Sequence, residues 1–505
     1  MTRPRSGRDM WRVARASLAF IVVFALGVFL YTIRLRHNPP GFYVDESSVA
    51  YNAYTISQTG RDEFGEAWPL FFRAFGDYKN PIYVYLLAAV FSITGPGILA
   101  ARLLSAIAGL SAAWLMGLLG TRVTRRRDVG LFAVAATLLT PWLFEMSRVV
   151  LEVALYPLAV ILFLLCLHRV STKESWTWPD AASLAATLAM LTYTYSIGRL
   201  FAPLLALGLV IFATRARLSG LLRTWALYAL TLLPMFIFQR RHPDALTGRF
   251  NLITYITPQT SFPRIVWEFV KHFAGNLDPR RLLLSGDENV WQVAHVQGTP
   301  AVLFITMALA LGGLWLVLRR HIRDAWWRFV LYGLAASIVP ASLTADYFHT
   351  LRLAALPVFL LVLMLPALAW LCDEALPRPH ARRAALVACV SLMLLQGAIF
   401  QWRYHASERD AWRHHLFDAD YASKIFDPAL AYRDGPVYLA DAMTTPYIQA
   451  DWYATLRGVP LSRFIRLAPD ESPPAGALVI STEESCAPAH VLARTEPYTL
   501  YLAST

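Results

Sequence analysis

The chain has 505 residues, of which 56% are hydrophobic and only 16% charged, and a formal net charge of +12. Soluble domains carry about 25% charged residues, so this composition excludes an ordinary soluble enzyme and points to a membrane protein. The basic residues come in short clusters between apolar runs, which reads as cytoplasmic loops and not as one nucleic-acid surface. Four cysteines, Cys166, Cys372, Cys389 and Cys486, lack ligand spacing and support neither a disulfide framework nor a zinc site.

The N-terminus is basic, Met1-Thr-Arg-Pro-Arg-Ser-Gly-Arg, and leads into an apolar run from Ala16 to Ile33. A cleaved signal peptide is the rival reading. The run is long for a signal core and no small-residue cleavage site precedes Arg34, so an uncleaved first span is expected. About eleven apolar segments approach the ~20 residues that a helix needs to cross hydrocarbon. They lie near 16–34, 98–120, 129–144, 153–169, 181–197, 200–214, 221–238, 300–318, 329–343, 353–371 and 384–401. With the N-terminus inside, the short basic connections around Arg125, Arg169, Arg217, Arg320 and Arg382 all fall on the cytoplasmic side. Loops 35–97 and 239–299 and the tail from Arg403 then lie outside.

The first external loop opens with Gly41-Phe-Tyr-Val-Asp45-Glu46 and Tyr51. A carboxylate at a membrane border is most often simply solvated. Here Phe42, Tyr43, Val44, Tyr51 and Tyr54 hem the pair and limit its solvation, a setting suited to a general base. The loop closes on Asp77-Tyr-Lys79-Asn-Pro81 and the run Ile82–Thr94, too short to span and better read as an interfacial or re-entrant helix. Next, Glu145-Met-Ser-Arg148-Val-Val-Leu-Glu152 places Glu152 four residues after Arg148, where a continuous helix gives the two one face. The plain reading is an ion pair at the membrane border; the functional one is a second carboxylate facing a cavity that orients an acceptor or binds a cation.

Three more external positions are basic. Arg199 ends Tyr193-Thr-Tyr195-Ser-Ile-Gly, and His349 and Arg352 lie three apart after Asp346. Each alone is ordinarily a side chain snorkelling to head groups. Together with Lys79 they supply fixed positive charge from separate loops on one side, which a phosphate leaving group requires. The second long loop, with Leu282-Leu-Leu-Ser-Gly-Asp287, reads as a partly helical lid. Beyond Arg403 charge rises; a helix is expected near 407–433, with strands at Pro436-Val-Tyr-Leu-Ala, Gly476-Ala-Leu-Val-Ile and Tyr498-Thr-Leu-Tyr-Leu. The expected architecture is thus an α-helical polytopic membrane domain, residues 1–402, followed by a small external α/β domain, residues 403–505.

The order of these pieces resembles the GT-C membrane glycosyltransferases, in particular the protein O-mannosyltransferase and lipid A aminoarabinose transferase group. The series is Asp45-Glu46 with Tyr51, Lys79-Asn80-Pro81, Ser147-Arg148 with Glu152, Thr194-Tyr195 with Arg199, Gly286-Asp287, and Pro340 through His349 to Arg352. The resemblance implies a GT-C fold and an inverting transfer of sugar from a polyprenyl-phosphate carrier at the periplasmic face of a bacterial inner membrane. It implies Asp45 as catalytic base supported by Glu46, with Glu152 placing the acceptor. It implies Lys79, Arg199, His349 and Arg352 around the donor phosphate, and Tyr51, Tyr195 and Asp287 as substrate contacts. No cofactor is implied, a divalent cation is left open, and the acceptor is a lipid, a glycan or a protein; no nucleic acid is expected. An oligosaccharide polymerase or ligase using a pyrophosphate-linked donor, and a lipid-linked sugar transporter or flippase, remain alternatives. No Gly-rich nucleotide loop is present.

Overall fold

The structure is a computed structural model and describes residues 7–432, 434–440, 446–468, 471–482 and 490–504. The first basic residues of the N-terminus and Cys486 lie outside the described residues.

Every apolar segment expected to span is helical. Five described helices are long and apolar enough to cross a membrane: Ile98–Thr124, Glu152–Ser171, Leu218–Arg241, Leu356–Asp373 and Pro379–Arg409. Helix Leu356–Asp373 is the axis of the bundle. It is buried along nearly its whole length and packs against Phe304–Leu316, Ala325–Ser342, Ile98–Thr124, Arg127–Leu139 and Pro379–Ala406. A helix apolar all round belongs in such a central place. Its closest neighbour touches it backbone to backbone: a Cβ on Gly313 would meet the Leu363 carbonyl oxygen at 1.7 Å, so only glycine permits that crossing. The outer helices present Leu230, Leu233 and Phe236 outward, as a lipid-facing surface does.

The loop at 35–97 is more ordered than the sequence suggests. Asp45 and Glu46 sit in the first turn of helix Val44–Thr59. A two-stranded hairpin follows, Phe72–Ala74 with Asp77–Lys79, in the register Phe72↔Lys79 and Ala74↔Asp77. Its two turn residues, Phe75 and Gly76, both have positive φ (51° and 73°), the signature of a type I′ turn whose twist matches the strands. The hairpin delivers Lys79 to the start of helix Pro81–Thr94, where Pro81 occupies the first helical position without wasting a donor.

Past Arg403 the expected helix over 407–433 is broken into short pieces, Ser407–Arg409, Ala411–Leu416, Tyr421–Phe426 and Asp427–Tyr432. Asp410 interrupts it as an extended N-cap that accepts from the Arg413 amide, and Asp418 interrupts it again with φ of +49°. The strands appear at Val437–Ala440, Leu478–Ser481 and Thr499–Leu502, with two more, Phe464–Arg466 and His490–Arg494, that short and uneven patterning concealed. Together they form one mixed five-stranded sheet. Val437–Ala440 pairs in parallel with both Phe464–Arg466 and Leu478–Ser481, which demands crossovers, and helix Pro446–Arg457 supplies the first. That helix also docks the sheet onto the segment 35–97: Trp452 stacks on Phe42 at 5.4 Å and on Phe91 at 6.1 Å. Gly41 completes the junction. Its φ of +66° suits glycine, and a Cβ there would lie 2.2 Å from the Phe417 carbonyl oxygen.

Candidate active site

The hairpin end is the hub. Lys79 Nζ meets Asp45 Oδ1 at 2.8 Å, both side chains being partly exposed. One residue on, the Asn80 amide donates to Glu152 Oε1 in a short hydrogen bond, and the Asn80 side-chain oxygen accepts from Arg199 at 3.1 Å. Asp45, Lys79, Glu152 and Arg199 therefore come from four separate chain segments and converge on two consecutive residues. Burial opposes the charge on Lys79, but the carboxylates of Asp45 and Glu152 outweigh it and raise its pKa, so the ammonium is held. Arg199 also donates to the Leu246 carbonyl oxygen, and its guanidinium lies 5.2 Å from the Phe71 ring centroid.

Tyr195 lies within electrostatic reach of both groups of charges. Glu152, Arg352, Lys79 and Arg249 all act on its hydroxyl. Arg352 is held by Asp346 at 2.6 Å and by the Thr344 hydroxyl at 3.0 Å, with its side chain 11% exposed. His349 is half-buried one turn before it, and the Arg352 amide reaches its carbonyl oxygen at 3.0 Å. Burial first, and then the Arg352 charge, push the His349 pKa down to about 4, so this imidazole is neutral at pH 7.

Several sequence expectations are placed elsewhere. Glu46 does not share the surroundings of Asp45. It is fully buried, takes both Arg102 Nε and Nη2 (3.3 and 3.1 Å), and accepts the amides of Tyr43 and Val150. Arg148 and Glu152 share no face, because the chain between them is not helical. Arg148 is fully buried and donates to four carbonyl oxygens, those of Leu30, Tyr31, Ile33 and Asn38. Asp287 is likewise buried and spent: its Oδ2 accepts from the Thr350 amide and hydroxyl, and its Oδ1 from the Asn289 amide. It pins the loop before residue 300 to the His349 segment. Tyr51 is buried, within electrostatic reach of Asp451 and Glu63.

Two participants escaped the sequence reading. Arg249 is exposed in the second long loop, within electrostatic reach of Tyr43, Tyr195 and His349. In sequence it is one of six arginines in loop 239–299, with no local pattern to single it out. The other is the buried pair of Glu145 and His295, 2.8 Å apart, with the Val296 amide on the second Glu145 oxygen. Residues 150 apart reveal no such pairing in sequence. Among the described residues no three His, Cys, Asp or Glu side chains gather as a metal site.

The comparisons with known proteins bear out the resemblance to the GT-C membrane glycosyltransferases, through one family model over part of the chain and through likeness of fold. The model of the dolichyl-phosphate-mannose-protein mannosyltransferase family matches residues 78–239, a stretch that holds Lys79, Glu152, Tyr195 and Arg199. Among solved structures, ArnT from Cupriavidus metallidurans in the apo state matches with a TM-score of 0.59 at 14% identity, over 96% of this chain and 98% of that one. The same protein bound to undecaprenyl phosphate matches with a TM-score of 0.56 at 14% identity, over the same shares. At that identity the likeness is one of fold. No curated protein matches the chain in sequence.

Proposed function

We propose that this protein is a multi-pass membrane glycosyltransferase that moves a sugar from a polyprenyl-phosphate carrier to an acceptor nucleophile, with its site on the periplasmic side of a bacterial inner membrane. Residues 1–402 are the catalytic membrane domain in this reading, and residues 403–505 an external α/β domain. The observation that carries it is the Asp45–Lys79 pair, joined through Asn80 to Glu152 and Arg199. The family match over this stretch and the bound carrier lipid in the ArnT structure support the choice of donor.

The chemistry follows from the geometry. Asp45 Oδ1 is engaged by Lys79, and Oδ2 has no partner among the described residues. Oδ2 takes the proton of the acceptor hydroxyl as that oxygen attacks the anomeric carbon from the face opposite the leaving phosphate. The C–O bond to the carrier breaks, and its electron pair goes to the phosphate. Lys79, Arg199, Arg352 and Arg249 meet the charge that develops there; fixed cations in a partly dry site stabilise such a transition state more than water does. His349, neutral at pH 7, donates or accepts a hydrogen bond without adding charge. Glu152 and Tyr195 border the same space and place the acceptor. Glu46, Asp287 and Arg148 act through position, by fixing the loops that carry these groups.

The test is transfer in proteoliposomes with a radiolabelled polyprenyl-phosphate sugar and native envelope lipid extract as acceptor. Asp45→Asn is expected to abolish transfer while expression and melting temperature stay near wild type. Retention of more than about half the activity in that variant removes Asp45 as the base.

A further inference from the structure

A cavity of about 400 Å³ lies outside the Asp45 site, between residues 409–424 and the turn at 494–498. Its wall carries Arg409, His414, His415, Lys424 and Arg494 together with the carboxylates of Asp420, Glu496 and buried Asp418. His414 and His415 each spend one ring nitrogen on a backbone carbonyl oxygen, those of Glu408 (2.8 Å) and Glu496 (3.0 Å). The second nitrogen of each ring then carries a lone pair, an acceptor for a ligand hydroxyl. Lys424 is held by Asp420 at 2.8 Å, whereas Arg409 has no partner among the described residues. Tyr421, 1% exposed, borders the cavity with its hydroxyl buried and unpaired. A buried hydroxyl without a partner is costly unless something supplies one.

An aromatic lip adjoins this polar wall. Trp291 is 63% exposed, sits at 5.0 Å from the Trp412 ring and 6.2 Å from the His415 ring, and is fixed edge-on to both. Exposed tryptophans at this end of a membrane protein also fit a head-group belt. Trp402, 71% exposed, makes no ring contact among the described residues and suits that belt. Trp291 differs because its orientation is set and because His415 joins it to the cavity.

We propose that this cavity, with Trp291 as its lip, binds a phosphorylated saccharide: the apolar face of the sugar ring lies on the indole, its hydroxyls donate to the two histidines, and the phosphate meets Arg409. Arginine is the side chain best matched to phosphate oxygens, and a flat indole to the C–H face of a pyranose. Resting on the transfer proposed above, the ligand is the body of a glycan-bearing acceptor, beyond the hydroxyl that reacts. The cavity is braced to the reacting loop. Asp418 Oδ2 accepts from Gln449 at 2.6 Å and from Tyr498 at 3.1 Å. Gln449 in turn donates to the Phe42 carbonyl oxygen and accepts from Ser47, two residues past Asp45. Burial pushes the Asp418 carboxyl up to about 7, so near neutrality this group offers either a proton or a lone pair.

The experiment uses the full chain in detergent micelles, with no lipid donor, and titrates glucose 1-phosphate, glucose and inorganic phosphate by calorimetry. Glucose 1-phosphate is expected to bind with a dissociation constant of about 1 mM, and the other two at least ~5-fold more weakly. Arg409→Ala and Trp291→Ala are each expected to weaken it about 10-fold, the size of one charge-assisted or stacking contact, while Trp402→Ala leaves it unchanged. Absence of saturable binding, or equal affinity in all three variants, overturns the site. Equal affinity for inorganic phosphate overturns its saccharide part, and weakening by Trp402→Ala equal to that of Trp291→Ala reassigns the indole to the head-group belt. Because no donor is present, failure here leaves the transfer proposal standing, and an inactive Asp45→Asn that still binds glucose 1-phosphate leaves this one standing.

Discussion

At Glu46 both carboxylate oxygens are saturated, by one guanidinium and two backbone amides, in a site closed to solvent. At Asp45, one residue earlier, a single oxygen is paired and the side chain is 28% exposed. Both are acid–base pairs in the first turn of one helix, and the helix turns them roughly 100° apart: Glu46 toward Arg102 and the bundle, Asp45 toward the hairpin. The difference teaches what a pair is for. A carboxylate with every lone pair committed is part of the scaffold, and removing its partner strands a buried charge. A carboxylate with a free oxygen beside mobile solvent is able to exchange a proton. The same contrast separates Arg148, spent on four carbonyl oxygens, from Arg352, anchored on one side only.

The sharpest way to break this comparison is to neutralise both acids without changing their shape. Asp45→Asn is expected to lower the rate of transfer about 10²–10⁴-fold, the usual worth of a positioned base, with no loss of folded protein. Glu46→Gln is expected to do the reverse in order of cause: it leaves Arg102 buried and uncompensated and costs about 3–5 kcal/mol of stability, read as a lowered melting temperature and lost expression, with activity falling only as protein is lost. If Glu46→Gln proves stable and inactive while Asp45→Asn is active, the two assignments change places.

A smaller effect separates the anchored cations. Arg352→Ala and Arg249→Ala are each expected to raise the KM for the lipid donor about 10-fold, near 1.4 kcal/mol, with kcat for saturating donor changed less. Arg249 makes no ion pair among the described residues, so its loss leaves no stranded partner and its effect is confined to donor binding. Arg352→Ala also frees Asp346, and a small loss of stability accompanies it.

The sequence carried the bundle because long apolar runs leave the chain few options, and it carried the cations because lone charges beside such runs stand out. Lys79, Glu152, Tyr195 and Arg199 come together in the structure for reasons no local pattern holds: the Phe75–Gly76 turn sets the hairpin, and the hairpin sets Lys79 and Asn80. Glu46 could not be told from Asp45, nor Asp287 from an exposed acid, because burial is invisible in a run of two acids or a Gly-Asp step. The Arg148–Glu152 spacing misled for a related reason, since it presumes a helix that the chain does not form there. Arg249 and the Glu145–His295 pair needed the tertiary fold to be seen at all.

The Glu145–His295 pair offers the smallest test, by pH. Burial alone lowers the His295 pKa, but Glu145 at 2.8 Å more than offsets it, and the net direction is upward. A histidine whose folded pKa exceeds its unfolded value of about 6.5 adds stability that is fully present below that value and is lost as pH rises through the folded pKa. Melting temperature is therefore expected to fall gently as pH rises above about 6.5 in the wild type, beyond the drift of the rest of the molecule. In Glu145→Gln the partner that raises the pKa is gone and burial dominates, so this slope flattens or reverses, while the Val296 amide keeps an acceptor. The residue opposite His295 matters to the outcome, since its Nε2 lies where a Cβ on Gly286 would come within 2.0 Å. Gly286→Ala would push the imidazole from Glu145 and is expected to erase the same slope by geometry, with Glu145 intact. An unchanged slope in both variants would assign the pH dependence to another group and leave this pair a packing contact.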